Sequence, residues 1–256
     1  MTKQVLINGI TLSYKRFGRG KPLMLIHGFP LNYTCWNSVA SLLAVEFDII
    51  MPDLRGFGQS SSVEEPYTIT AMADDLAGLL DALGIEKTAL AGHSMGGYVA
   101  LAFAQKYPQR VAGLGLVSSQ AAADAPERKE GRYKTANEVA EKGVGIVAEA
   151  MISKLSDHAK VQTFVHDVIE KQTSSGVIGA LKAMAERDDM QSVLSAFDFP
   201  FLLIHGDADV LIPVDRAREA AALVPSAKLV EIPGAGHMPM MEFPEATADA
   251  LRFFAG

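Results

Sequence analysis

Three residues spaced widely along this chain have the side chains that acyl transfer needs: a serine, an aspartate and a histidine. Ser94 stands in "GHSMGG" (residues 92–97), between glycines and directly after the apolar run "TALA". A serine hydroxyl is a weak nucleophile at neutral pH and needs a neighbouring base. His237, in the glycine-rich stretch "IPGAGHMPM", can be that base. The segment "LLIHGDADVLIP" offers Asp209 to orient the imidazole, with Asp207 two positions earlier. Serine, acid, then histidine is one of the chain orders in which such triads occur. A second glycine-containing turn, "HGFP" (residues 27–30), follows the apolar run "PLMLI". A backbone N–H in such a turn can receive the negative charge that acyl transfer develops.

These residues are useful only if the fold brings them to one place. "KQVLI" and "TLSYKRF" flank Asn8-Gly9, a signature of a tight hairpin. "PLMLIH", "FDIIMPD", "TALAG", "VAGLGLVSS", "FPFLLIHGD" and "AKLVEIP" read as further strands. Helical spacing marks "YTCWNSVASLLAVE", "TAMADDLAGLLDAL" with Gly84 as its stop, "GGYVALAFAQKY" ending before Pro108, and "PEATADALRFFA" with Pro244 at its start. Apolar strands alternating with helices predict an α/β fold with a mostly parallel sheet covered on both faces. Ser94 then lies in a strand–turn–helix junction. Asp209 and His237 follow later strands, so all three fall beyond carboxyl ends, where α/β sheets place their sites.

Residues 121–196 break the alternation. They hold no apolar strand, only helical patterning such as "VGIVAEAMISKL", "AKVQTFVHDVIEK" and "VIGALKAMAE". A single crossover needs one helix, so several predict a lid or cap inserted into a core made of residues 1–120 and 197–256.

The 256 residues, 49% of them hydrophobic, suffice for a sizeable core. The formal net charge of -7 disfavours nucleic acid or an anionic membrane as partner. The lone cysteine, Cys35, excludes an internal disulfide and reads as a packed small hydrophobe. No Cys/His spacing suggests a metal, and no cofactor is expected. The first ten residues lack a long apolar segment, and no run approaches the ~18 apolar residues of a membrane span. A cytoplasmic monomer or homodimer acting on a small molecule is the expectation.

The motifs "HGFP", "DLRGFGQS", "GHSMGG", "HGDADVLIP" and "GAGHMP", in this order, make the chain resemble the α/β-hydrolases over nearly its whole length. The resemblance implies an eight-stranded sheet, a cap after the sixth strand and a Ser94–Asp209–His237 triad. It also implies an oxyanion hole from the backbone N–H groups of Phe29 and Met95. In the family's pattern the acid lies three residues after a glycine, here Gly206, which favours Asp209 over Asp207. Relatives that open epoxides or carbon–halogen bonds carry an aspartate where this chain has Ser94. The HGGPG turn of proline iminopeptidases is absent. "HGFPLNY" matches C–C hydrolases poorly. What the resemblance implies best is a serine carboxylesterase acting on a small to medium ester. A lactonase, a cofactor-free haloperoxidase or perhydrolase, a thioesterase and a C–C bond hydrolase stand as alternatives, and a slow ligand-binding receptor as one of another class.

The expected pocket lies between cap and triad, lined by Phe29, Leu31, Trp36, Met95, Val210, Leu211 and Met238. Such apolar lining suits an acyl or alkyl chain. Of the other histidines, His27 is expected to orient the "HGFP" turn and His93 to point away from the site. His205 is expected beside the acid, and His158 and His166 half exposed on cap helices. Asp53 and Arg55 in "DLRGFGQS" read as loop structure, with Arg55 as a many-donor tie.

Overall fold

The structure, a computed structural model, describes residues 1–63 and 66–256. The chain opens with a hairpin, β1 (Lys3–Ile7) and β2 (Ile10–Gly18). Asn8 and Gly9 both adopt positive φ, 51° and 80°, as a two-residue hairpin turn requires. The remaining strands are β3 (Lys21–Ile26), β4 (Phe47–Pro52), β5 (Thr88–His93), β6 (Val111–Val117), β7 (Phe201–Gly206) and β8 (Lys228–Ile232). They form one eight-stranded sheet in the order β1-β2-β4-β3-β5-β6-β7-β8. β1–β2 and β2–β4 pair antiparallel, and every other neighbouring pair is parallel. β5 and β7 are buried along their whole length, which is why they read as continuous apolar runs.

Helices α1 (Asn37–Leu43), α2 (Ile69–Ala82), α3 (Met95–Lys106), α9 (Asp215–Leu223), α10 (Pro239–Glu242) and α11 (Pro244–Leu251) flank the sheet. α2 packs on α3, and α1 on α11. α2 stops where the sequence suggests. Gly84, at φ 67°, lets the Gly84 and Ile85 N–H groups bond back to Asp81 and Leu80 at 3.1 and 2.9 Å. One predicted helix starts differently: Tyr33–Trp36 forms a 3-10 turn before α1. Its first N–H groups go to side chains, Tyr33 N to Asp53 Oδ1 at 2.9 Å and Thr34 N to Asn32 Oδ1 at 3.0 Å, which tightens the entry.

Between β6 and β7 lie five helices and no strand: α4 (Pro126–Lys142), α5 (Gly145–Leu155), α6 (Ala159–Ile169), α7 (Ser174–Ala185) and α8 (Gln191–Leu194). α4 packs mainly against α7, and α5 against α6. α4 has no apolar stripe in its sequence. It buries only Ala136 and Val139, so little but tertiary contact marks it as a helix. Among the described residues no helix is long and apolar enough to cross a membrane.

The strand order has a direct consequence for the site. β3, β5, β6, β7 and β8 are successive parallel neighbours. Their carboxyl ends therefore form one edge, and the turns carrying Phe29, Ser94, Asp209 and His237 sit along it.

Candidate active site

Ser94 lies between the end of β5 and the first turn of α3, at φ 51° and ψ −115°. Such a backbone is costly for a residue with a Cβ and persists only where surroundings impose it. Three hydrogen bonds impose it here. Ser94 N donates to Val117 O at 2.9 Å, Gly97 N donates to Ser94 O at 2.9 Å, and Ser119 Oγ donates to the same carbonyl at 2.8 Å. The flanking glycines permit the close crossing of α3 and the sheet. A Cβ on Gly96 would lie 2.5 Å from Ile26 O and 2.6 Å from His27 O, and one on Gly92 would overlap Gly96 O. Ser94 is only half-buried, so its hydroxyl reaches a cleft while its neighbours His93 and Met95 are enclosed.

Asp209 and His237 meet although 28 positions separate them. His237 Nδ1 lies 2.7 Å from Asp209 Oδ2, with both side chains buried. The other carboxylate oxygen, Oδ1, accepts the Leu211 and Ile212 N–H groups at 2.9 and 3.0 Å. His205 Nε2 approaches Oδ2 at 3.3 Å while bonding Ile212 O at 2.8 Å. Burial by itself would raise the Asp209 carboxyl. His237, His205 and the Ile212 N–H outweigh it and hold the group well below the usual carboxylate range. Asp209 is thus an ionised acceptor that fixes the ring. His237 Nε2, the remaining imidazole nitrogen, is buried and has no hydrogen-bond partner among the described residues. The Ser94–His237 hydrogen bond anticipated for such a pair is not formed. Asp207 is elsewhere: it is exposed, and its Oδ1 accepts Gly234 N at 2.7 Å, a turn carboxylate.

The "HGFP" turn is set by His27. Leu54 N donates to His27 Nε2 at 2.9 Å, so that nitrogen carries no proton and Nδ1–H donates to Gly28 O, also at 2.9 Å. Burial pushes the His27 imidazole down to about 4, against the Gly28 bond that favours its charge. Leu31 N also donates to Gly28 O, at 2.9 Å, which closes the turn around Phe29. Neither the Phe29 nor the Met95 N–H has a hydrogen-bond acceptor among the described residues.

His93 departs from expectation. Instead of pointing away, its ring packs 4.9 Å from that of His237, and its Nε2–H donates to His237 O at 2.8 Å. Burial, then the neighbouring His237 imidazole, hold His93 well below its ordinary range, so it is neutral and supports the backbone of the His237 loop. His158 and His166 are both exposed, and His158 precedes α6 instead of lying within it. Arg55 forms a fork on Asp75 at 2.6 and 2.7 Å, and Asp53 accepts Tyr33 N and Gln59 N at 2.9 Å each, so both tie loops together. Burial raises the Cys35 thiol, leaving it inert.

The cleft at Ser94 encloses about 330 Å³. Phe29 and Leu211 line it as expected. Leu31, Trp36 and Met238 do not: each is fully buried in the core. They are large apolar side chains on segments that turn inward, and core packing claims them first. Met95 is likewise fully buried and does not line it. Val210 is 74% exposed and faces a different, shallow depression. What the sequence reading missed is the far wall. α4 supplies Arg128, Gly131, Arg132 and Thr135, α5 supplies Val147, Ala150, Met151 and Lys154, and α7 supplies Leu181 and Met184. The α4 and α5 sets both follow i, i+3, i+4, i+7, one helical face each. That spacing was available in the sequence, but on α4 the face is polar and gives no apolar signal.

Comparison with known proteins agrees with this architecture. The model of the alpha/beta hydrolase fold family matches residues 21–244, and the chain belongs to that family. It is similar to a thermophilic esterase from Thermogutta terrifontis, solved with malate bound. The two are 40% identical, with a TM-score of 0.94 over 98% of this chain and 97% of that one. Lipase 1 of Psychrobacter immobilis is 28% identical over 97% of this chain and 82% of its own length. The enol-lactonase from Burkholderia xenovorans LB400, 24% identical with a TM-score of 0.90 over 98% of this chain and 99% of that one, shares the fold. The protein is a hydrolase of this fold with esterase and lipase relatives.

Proposed function

We propose that the protein is a serine carboxylesterase in which Ser94, His237 and Asp209 act as nucleophile, general base and orienting acid. The observation that carries this reading is the buried 2.7 Å His237–Asp209 contact, together with a serine held at φ 51° in the cleft at the same edge of the sheet. The likeness to an esterase at 40% identity over almost both whole chains supports it.

In this reading the unpartnered His237 Nε2 serves Ser94 Oγ as its base. Oγ attacks the ester carbonyl carbon as Nε2 takes its proton. The imidazolium is stabilised by ionised Asp209. The carbonyl oxygen becomes an oxyanion, received by the Phe29 and Met95 N–H groups, an interaction worth roughly 3–4 kcal/mol of barrier per donor. The intermediate collapses, and the leaving alcohol takes the proton from His237. Water then adds to the acyl-enzyme with His237 again as base, releasing the acid and restoring Ser94. Residues 121–196 serve as a cap in this scheme. α4, α5 and α7 close the cleft over Ser94 and select among substrate chains.

Turnover of a short p-nitrophenyl ester by wild type and Ser94→Ala tests the mechanism. The variant should lose several powers of ten, keeping only the contribution of binding and oxyanion stabilisation. Comparable rates from the two purified proteins would refute it. A panel of lactones, thioesters and vinylogous diketones alongside the esters then establishes which bond is cleaved best.

A further inference from the structure

The charged side chains lining the Ser94 cleft are Arg128, Arg132 and Lys154, all cations, in a chain with 30 acidic and 23 Lys or Arg residues. They stand on two walls. Arg128 and Arg132 are one turn apart on α4, and Lys154 ends the cleft-facing stripe of α5.

The α4 cations are also organised. The Asp124 side chain is fully enclosed and receives Arg187 Nη1 at 2.8 Å, Arg128 Nε at 3.5 Å and, closer still, Arg132 Nε. Three guanidinium groups therefore share one carboxylate, and two positive charges remain uncompensated by it. Arg187 is fixed further by the Tyr98 ring, 4.1 Å from its guanidinium carbon. Asp124 holds both Nε and Nη2 of Arg132, the latter at 3.5 Å, while Arg132 Nη1 points to the Met184 sulfur at 3.4 Å, a weak acceptor on the cleft lining. A guanidinium aimed this way has donors to spare for a planar anion. Apart from Thr135 and Gly131, the rest of the wall, Val147, Ala150, Met151, Leu181 and Met184, is apolar and suits a short carbon chain between ester and anion.

We infer that the cleft selects esters carrying a carboxylate, with Arg128, Arg132 and Lys154 forming its anion subsite and Ser94 its reaction site. This rests on the esterase reading above and names the substrate class for it. A carboxylate on the acyl side or on the alcohol side would satisfy the same chemistry.

The test uses matched pairs in which only charge differs. On the acyl side, monomethyl succinate, glutarate and adipate are compared with the corresponding methyl ester amides. On the alcohol side, 4-acetoxybutanoate is compared with its amide. In the wild-type protein kcat/KM for the carboxylate should exceed that for the amide by about tenfold or more in at least one pair, mostly through KM. High salt should shrink the ratio. In Arg128→Gln/Lys154→Gln the ratio should fall to about twofold or less, whatever the amide rate does. Both side chains are partly exposed and neither makes a close ion pair with Asp124, so the fold should persist. Lys154→Glu alone should move the ratio in the same direction. A wild-type ratio near or below one in every pair overturns the inference, as does a tenfold preference that survives both variants. The esterase reading is separated by p-nitrophenyl butyrate. Turnover of that ester without carboxylate preference sinks the subsite alone, whereas no turnover of any ester sinks both.

Discussion

Ser94→Gly and Ser94→Ala both remove the hydroxyl, and they differ only by a Cβ at φ 51°, ψ −115°. Holding a non-glycine residue in such a backbone costs on the order of 1–3 kcal/mol. Glycine escapes that cost but loses roughly 0.5–1 kcal/mol more conformational freedom on folding. The difference leaves the glycine variant more stable than the alanine variant by up to about 2.5 kcal/mol. The bonds that pin the elbow, from Gly97 N and Ser119 Oγ to Ser94 O and from Ser94 N to Val117 O, use backbone atoms of residue 94 and survive in both variants. The comparison is therefore free of lost contacts. For a chain of this size each kcal/mol corresponds to roughly 2–4 °C in Tm. Reversible denaturant unfolding, with calorimetry as a check, would read the gap. An alanine variant as stable as the glycine variant would show that the elbow is not strained, and the argument for an imposed nucleophile geometry would fall with it.

Asp209→Asn should keep the fold yet lose roughly 10³–10⁴ in kcat, because an amide can fix His237 in the wrong tautomer, whereas Asp207→Asn retains the oxygen that accepts Gly234 N and should change kcat less than about threefold; steady-state kinetics on one ester decides, and an active Asp209→Asn enzyme would end the assignment. His27 is neutral in the fold down to about pH 4 but takes a proton near pH 6.5 when unfolded, so its contribution is fully present above the unfolded value and is lost as pH falls through 4. That amounts to about 3 kcal/mol, and the stability difference between wild type and His27→Asn, measured by urea unfolding, should shrink over this window; a pH-independent difference contradicts the buried neutral ring. Gly96→Ala places a Cβ 2.5 Å from Ile26 O, and should destabilise by about 1–3 kcal/mol while displacing the elbow enough to depress esterase turnover; an alanine variant matching wild type in both would mean that α3 and β3 are less closely packed than described.

The elements that position the candidate site were legible because their signals are local. Asn8-Gly9 requires a tight hairpin whatever surrounds it. Apolar runs such as "TALAG" and "FLLIHG" belong to strands buried on both faces, and β5 and β7 are buried throughout. Gly92, Ser94 and Gly96 mark a junction whose steric demands are set within a few residues, and the close contacts a Cβ would make there give those glycines a physical reason. Parallel strand order then dictates that loops after β3, β5, β7 and β8 share an edge, so the meeting of Asp209 and His237 follows from topology that the alternation of elements already implies.

Pairwise contacts between distant segments have no local signature, and there only the tertiary structure decides. Trp36 and Met238 are as apolar as Leu211, yet they point into the core while Leu211 lines the cleft; composition cannot separate the two outcomes because both remove apolar surface from water. His93 packs under His237 through a backbone carbonyl 144 positions away. α4 is held by α7 and by the arginines around Asp124 instead of by an apolar stripe, so its periodicity is invisible to a hydrophobic reading. The same helix brings Arg128 and Arg132 to the cleft. The sequence by itself determines the fold class and the order of the candidate site residues, since steric and hydrophobic rules act over short stretches. Which side chains surround Ser94 is decided by packing across the helices between β6 and β7, where charge pairing and shape act between residues far apart in the chain.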